Sequence, residues 1–231
     1  MAELKYDKNG RLLFTKEMKK EYTVLVPDML PIHFNIMRNI FLNEGYKVAL
    51  LDNSGERVKQ LGLKYTHNDI CYPALLVTGQ FLDALTSGEY DPHKVALIHI
   101  IRKALARSGF DYVPVISFNL SLTETNPGFS LTLPIIRRML AGVIYGDMIM
   151  LLSNQTRPYE IEAGKTDQLV GLWVDNISKQ FRASRGHTLR EMRENFKNII
   201  RSFAAIPRRK EKKVRVGVVG EIYVKYASFA N

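Results

Sequence analysis

Tyr22-Thr23-Val24-Leu25-Val26-Pro27 is the stretch on which the fold turns. Its aromatic, β-branched and aliphatic residues make a strand, and Pro27, which has no N–H to give a ladder, closes it. Outward from this strand the chain alternates. Ile32 to Glu44 carries Ile36, Met37, Ile40 and Phe41 at helical spacing and then meets Gly45. Lys47 to Leu51 is a second apolar strand, and Asp52-Asn53-Ser54-Gly55 is turn chemistry. A short helix to Leu61 is predicted to stop at Gly62, and a longer one opens at Pro73. Val95 to Ile98 is a third strand, Ile100 to Arg107 a helix ahead of Gly109, and Tyr112 to Ser117 a fourth strand. Short, continuously apolar strands separated by helices predict a doubly wound parallel α/β sheet covered on both faces. Ligands of such sheets bind beyond the carboxyl ends of the strands. Asp28, Asp52, the loop after Ser117 and the segment before Pro73 are therefore expected on one rim.

On the amino side, residues 1–20 are polar, with Asn9-Gly10 as a turn, and read as an arm or small hairpin. On the carboxyl side, Thr132-Leu133-Pro134 opens a long apolar helix through Tyr145, with a bend expected at Gly146 before it resumes through Leu152. Thr166 to Phe181 spaces Val170, Trp173, Val174, Ile177 and Phe181 as a helix, with Trp173 as core. Thr188-Leu189-Arg190-Glu191 is a capping box. Behind it Leu189, Met192, Phe196, Ile199, Ile200 and Phe203 form an apolar stripe that Pro207 ends. The expected organisation is an arm over 1–20, an α/β domain over 21–160, a helical region over 161–207, and a linker plus the first strand of a second α/β unit over 208–231.

A chain of 231 residues has ample core, and its single cysteine excludes a disulfide framework. Met1 to Lys20 lacks the apolar centre of a signal peptide. The longest apolar run, Met139 to Leu152, is interrupted by Asp147 and is too short to span a bilayer. These features predict a cytoplasmic protein with no membrane segment. The net charge of +10 is unevenly placed, with twelve basic and three acidic residues between 182 and 215. Basic character confined to one segment argues against a nucleic-acid binder, and Arg208 to Lys213 has no interleaved aromatic to stack on bases. Val214 to Gly220 lacks the third glycine of a dinucleotide fingerprint, and His33 and His67 have no partners at zinc spacing.

Two candidate sites remain. His67-Asn68-Asp69-Ile70-Cys71-Tyr72-Pro73 sets the only cysteine just ahead of a helix whose apolar stripe is Ala74, Val77, Phe81, Ala84 and Leu85, with Gly88 as a C-terminal stop. The positive end of the helix favours thiolate there, giving a nucleophile or a metal ligand; the commoner fate of a free cysteine is a small buried hydrophobe. Arg190, Arg193, Lys197 and Arg201 line one side of the capped helix. They would suit docking of an acidic or phosphate-bearing partner. An ordinary solvated face, with Glu194 four residues after Arg190, is the simpler account.

Several blocks are more specific. Val24-Leu25-Val26-Pro27-Asp28-Met29-Leu30-Pro31, Asn68-Asp69-Ile70-Cys71-Tyr72-Pro73-Ala74 and Asn126-Pro127-Gly128-Phe129 resemble the 2-hydroxyglutaryl-CoA dehydratase D-component family, above all the D-component-like region of large CoA-substrate-specific enzyme activase proteins. Arg137-Arg138-Met139-Leu140, Tyr145-Gly146-Asp147, Asn154-Gln155-Thr156-Arg157-Pro158-Tyr159 and Gly217 to Tyr226 continue the likeness, which covers nearly all of 21–231. The resemblance implies flavodoxin-like or Rossmann-like α/β domains that hold a cubane iron–sulfur cluster, with Cys71 matching the first cluster cysteine. It also implies an ATP-dependent activase, separate or fused, as electron donor, and a 2-hydroxyacyl-CoA as substrate; relatives with double-cubane clusters reduce other small molecules. A dimer is compatible with it. Relatives carry a Gly-rich loop with a second cysteine after the third strand. Here Ile98 runs into His99 with no room for a strand-to-helix loop, so either the strand ends early or residues are absent at that junction, and the strand begun at Val214 raises the same question after Asn231. A cubane takes about four thiolates, so one cysteine cannot hold it alone.

Overall fold

The computed structural model describes residues 4–8, 10–67, 69–98, 101–116, 126–214, 216–217, 219–221 and 225–227. The chain forms two compact units, one of Met1–Met29, Glu44–Ser130 and Gly220–Asn231, the other of Leu30–Asn43 and Leu131–Val219.

The first unit is built on four parallel strands, β1 (Thr23–Pro27), β2 (Lys47–Leu51), β3 (Val95–Ile98) and β4 (Val115–Ile116), in the order β2-β1-β3-β4. Leu25 stands opposite Ala49 on one side and Leu97 on the other. The sheet winds outward from β1 in both directions, which is the doubly wound order of flavodoxin-like proteins. β4 is shorter than its apolar run because Pro114 has no N–H for the ladder; only its carbonyl takes part, accepting from Leu97 N–H at 3.0 Å. Ser117, the expected end of that strand, lies outside the described residues, as do the Ile98–His99 junction and the loop after Ser117.

Helices α3 (Glu56–Tyr65), α4 (Tyr72–Thr86) and α5 (Arg102–Ser108) belong to this unit. The helix expected to stop at Gly62 continues through it to Tyr65. Gly62 and Gly79 are instead the places where α3 and α4 touch: a side chain at Gly62 would run into Leu75, and one at Gly79 into the Val58 carbonyl. The two helices are therefore an antiparallel hairpin, with 58 beside 79 and 62 beside 75. This second neighbour explains why α4 buries Leu75, Thr78, Gln80 and Leu82 besides the predicted Val77, Phe81, Ala84 and Leu85. Of these, Val77, Phe81, Leu82, Ala84 and Leu85 share a core with Leu25, Leu51, Val95, Leu97, Ile101, Leu105, Val113 and Val115. The N-terminal segment joins the body too. Tyr6 and Leu12 bridge antiparallel as a small hairpin, although Asn9 of its turn lies outside the described residues. Behind the hairpin, Phe14 and Met18, which opens the short helix α1 (Met18–Glu21), are fully buried, and Phe14 N–H donates to Asn126 Oδ1 at 2.9 Å.

The second unit is helical, made of α2 (Pro31–Asn43), α6 (Leu133–Thr156), α7 (Lys165–Arg182) and α8 (Leu189–Ala204). Residues 131–160, grouped in the sequence with the α/β body, belong here because α6 packs on α2, α7 and α8. α6 continues through Gly146 without a break. Gly146 makes room for His33, whose Nε2 would lie 2.6 Å from an added Cβ, and Gly142 does the same for Ile36. His33 Nε2 lies 3.0 Å from Asp147 Oδ1. The capping box at Thr188 and Glu191 forms as expected. Of the α8 stripe, Met192, Ile199 and Phe203 are buried, while Leu189 and Ile200 are exposed. Trp173 is half-buried rather than core, its indole N–H donating to Ser202 Oγ at 2.8 Å.

Ile161 and Arg209 donate backbone N–H groups to the Pro207 and Tyr159 carbonyls at 3.1 and 2.7 Å, clasping the end of the helical region. The strand expected over 214–219 is absent at its described residues: Val214, Val216 and Val219 are 90, 79 and 87% exposed and pair with nothing. A strand without a neighbour has no ladder to satisfy its backbone. Among the described residues, no helix is long and apolar enough to cross a membrane.

Candidate functional site

Cys71 is the N-cap of α4, with extended backbone (φ −64°, ψ 148°), and its carbonyl accepts the first helical hydrogen bond from Leu75 N–H at 3.1 Å. Pro73 occupies the first turn as predicted. The thiol does not cap the helix; it is exposed. Around it stand exposed Ile70 and Tyr72, with His67 Nδ1 lying 3.2 Å from Asp69 Oδ2. Asn68 lies outside the described residues. Local sequence explains the placement: Pro73 has no N–H to bond a carbonyl four residues back, so it suits only the first turn and the helix cannot start a turn earlier, and Gly62 and Gly79 let α3 brace α4 closely. The cysteine thus sits at the tip of a rigid helical hairpin.

The rim expected from the sheet is present in part. Asp28 N–H donates to the Leu51 carbonyl at 3.0 Å, so the chain leaves β1 and β2 side by side. The side chain that reaches from this rim is Asn53, not Asp52. Asn53 Nδ2 donates to Asp83 Oδ2 at 2.8 Å and to the Gln80 carbonyl at 3.1 Å, while Gln80 Nε2 donates to the Asn53 carbonyl at 2.9 Å. Arg57 Nε completes the clasp on Asp83 Oδ1 at 2.8 Å. Asp83 lies twelve residues further along α4 than Cys71, about 18 Å at 1.5 Å per residue. The thiol and the Asp52 loop therefore occupy different places on the first unit.

As a ligand set for an iron–sulfur cubane, the chain supplies one exposed cysteine where about four thiolates are needed. Among the described residues, no group of three or more His, Cys, Asp or Glu side chains stands together as a metal site. The remaining ligands of any such cluster would come from outside these residues.

Arg190, Arg193, Lys197 and Arg201 are exposed along α8. Lys197 Nζ pairs with Glu194 Oε1 at 2.8 Å, and Arg190, Arg193 and Arg201 form no ion pair among the described residues. A groove of about 510 Å³ between α7 and α8 is lined by Lys179, Arg185 and Arg190 but also by Glu191 and Glu194, so its charge is mixed.

What the sequence reading missed is a polar network inside the helical unit. Asn195, buried on α8, donates to Tyr145 Oη at 2.7 Å and to Gln180 Oε1 at 2.8 Å, and Tyr145 donates to the Gly186 carbonyl at 2.8 Å. Burial pushes the Tyr145 hydroxyl up to about 12 despite the Asn195 hydrogen bond. The available signal was a polar residue three past Met192 and four before Ile199, on the buried side of the stripe. No protein-family model, curated protein or solved structure matches this chain.

Proposed function

We propose that this chain is an iron–sulfur component of a 2-hydroxyacyl-CoA dehydratase-like or double-cubane reductase-like system, in which Cys71 is one thiolate ligand and an ATP-dependent activase supplies low-potential electrons. The observation that carries this reading is the exposure of Cys71 at the head of α4; a sulfur sealed among aliphatics could not reach a metal. The cluster, when held, would supply one-electron reduction. What the chain itself contributes is placement. The α3–α4 hairpin holds the sulfur at its tip, exposed at the head of α4. The other thiolates belong to a further segment or a second polypeptide.

Anaerobic reconstitution of the full chain with iron, sulfide and an excess of a small thiol tests this, because the small thiol can occupy the ligand positions the chain lacks. Absorbance near 400 nm (roughly the thiolate-to-iron region) and protein-bound iron should appear with wild type and be lost in Cys71→Ala. A colourless wild type, or equal iron in both, refutes the proposal. The same outcome would favour a second reading, a non-catalytic α/β binding or scaffold module, which the presence of only one cysteine also supports.

A further inference from the structure

Helix α6 leaves one of its faces uncovered. Leu133, Leu140, Ile144 and Leu151 are 59, 62, 48 and 55% exposed, and Arg137 and Asp147 are exposed on the same line. Their spacing is four, three, four, three and four residues, the a/d heptad of a helix-to-helix seam. At about 100° per residue all six lie within about 40° of one line along the helix. A heptad stripe in water is ordinarily buried against another helix.

The order of residues along the stripe says which helix. Leu133 and Leu151 each lie nine residues from position 142, Arg137 and Asp147 five, and Leu140 and Ile144 two. Read from either end, the seam runs aliphatic, charged, aliphatic, aliphatic, charged, aliphatic, with a cation at one charged position and an anion at the other. Such a pattern is complementary to its own reverse. We propose that α6 is the interface of a two-fold dimer, pairing antiparallel with α6 of a second copy so that Leu133, Arg137 and Leu140 of each chain meet Leu151, Asp147 and Ile144 of the other.

Antiparallel pairing places a against d positions in each layer, which is what these three pairs are, and each pair occurs twice by symmetry. Parallel pairing is disfavoured by the same residues, since it sets Arg137 against Arg137 and Asp147 against Asp147. Arg137 forms no ion pair among the described residues. Asp147 uses one oxygen on His33, and its side chain is still 65% exposed. The opposite face of α6, with Ile135, Tyr145 and Ile149, is already buried in the helical unit, so a second copy would complete the helix rather than compete for it.

Sedimentation velocity of the full chain from low to high micromolar concentration tests the proposal through a charge exchange. Wild type should dimerise. Arg137→Glu and Asp147→Lys, each alone, place like charges together twice across the seam and should weaken self-association by about tenfold or more. Mixing the two variants restores opposite charges in both layers and should restore the dimer as a heterodimer. Because Asp147 also meets His33, far-UV circular dichroism checks that variant. Should it fail to fold, Arg137→Glu and Leu140→Glu, both on the exposed face, must each yield monomers. A wild type that stays monomeric, or an Arg137→Glu variant that dimerises as wild type does, overturns the proposal. So does a mixture of folded variants that stays monomeric.

Discussion

Alanine at Gly79 places a methyl group where α3 already stands. Its Cβ would lie 2.8 Å from the Val58 carbonyl carbon, closer still to the oxygen, and 3.1 Å from Val58 Cγ1. The obstruction is backbone, so no rotamer relieves it, and the hairpin must open by roughly 1 Å. Overpacking of this kind costs about 1–3 kcal/mol or more, against a gain of about 1 kcal/mol in helix propensity. Opening also loosens Val58 and Leu75, both buried at the contact. A clash this close with backbone atoms calls for the upper end of that range, so the net expectation is a loss of about 2 kcal/mol. Gly171 is the control, for it lies inside α7 with nothing within 4 Å of its would-be Cβ. There the same substitution should stabilise by about 0.5–1 kcal/mol. At about 2–4 °C per kcal/mol for a chain of this size, melting should fall by roughly 4–8 °C for Gly79→Ala and rise by roughly 1–4 °C for Gly171→Ala. Thermal circular dichroism reads both. Hydrogen exchange should place the Gly79→Ala loss on α3 and α4, since a chain of two units need not melt as one. Equal signs for the two substitutions, or an unperturbed Gly79→Ala, would show that the hairpin is not packed at van der Waals contact.

Tyr145→Phe strips the Gly186 carbonyl of its donor and Asn195 of an acceptor, and should lower stability by about 1–3 kcal/mol in urea denaturation. Because burial holds the Tyr145 hydroxyl protonated up to about 12, wild type should keep this contribution below about pH 10, where an unfolded tyrosine begins to ionise, and lose it as pH rises toward 12. Tyr22, Tyr46, Tyr90 and Tyr112 are also raised by burial and act in both proteins. The diagnostic result is a shallower alkaline slope of the urea midpoint in Tyr145→Phe, and identical slopes would exclude the network. Glu160 accepts from Thr166 and Gly164 N–H groups at 2.7 Å each, and Thr166, then Gly164, hold its carboxyl below the ordinary range. Its contribution should be present above about pH 4.5 and fade as pH falls. Glu160→Gln should therefore melt earlier than wild type at neutral pH and converge with it in acid, as paired thermal melts across that range would read.

Element by element, the α/β half was legible because its signals are local. Lys47–Leu51 and Val95–Ile98 are strands to the residue, and Gly45 and Gly109 end their helices at φ +83° and +80°, conformations that glycine alone adopts cheaply. The N-terminal position of Cys71 was equally local, set by Pro73 and the apolar stripe behind it. Gly62 misled for a physical reason. A glycine that stops a helix and a glycine that admits a neighbour look alike in sequence, and only the neighbour, here Leu75, tells them apart.

The order of short apolar runs and helix punctuation along the chain was thus sufficient for a parallel wound sheet with the cysteine heading a helix. Periodicity and backbone stereochemistry act within a few residues, so they can be read in one dimension. Tertiary structure alone decided that Cys71 faces solvent about 18 Å of helix from Asp83, that residues 131–160 belong with the helical unit, and that Asn195, Tyr145 and Gln180 close a buried polar network. Those outcomes depend on which distant surfaces meet, Tyr145 and Asn195 being 50 residues apart; a polar residue within an apolar stripe can mark one partner locally, but nothing along the chain names the other.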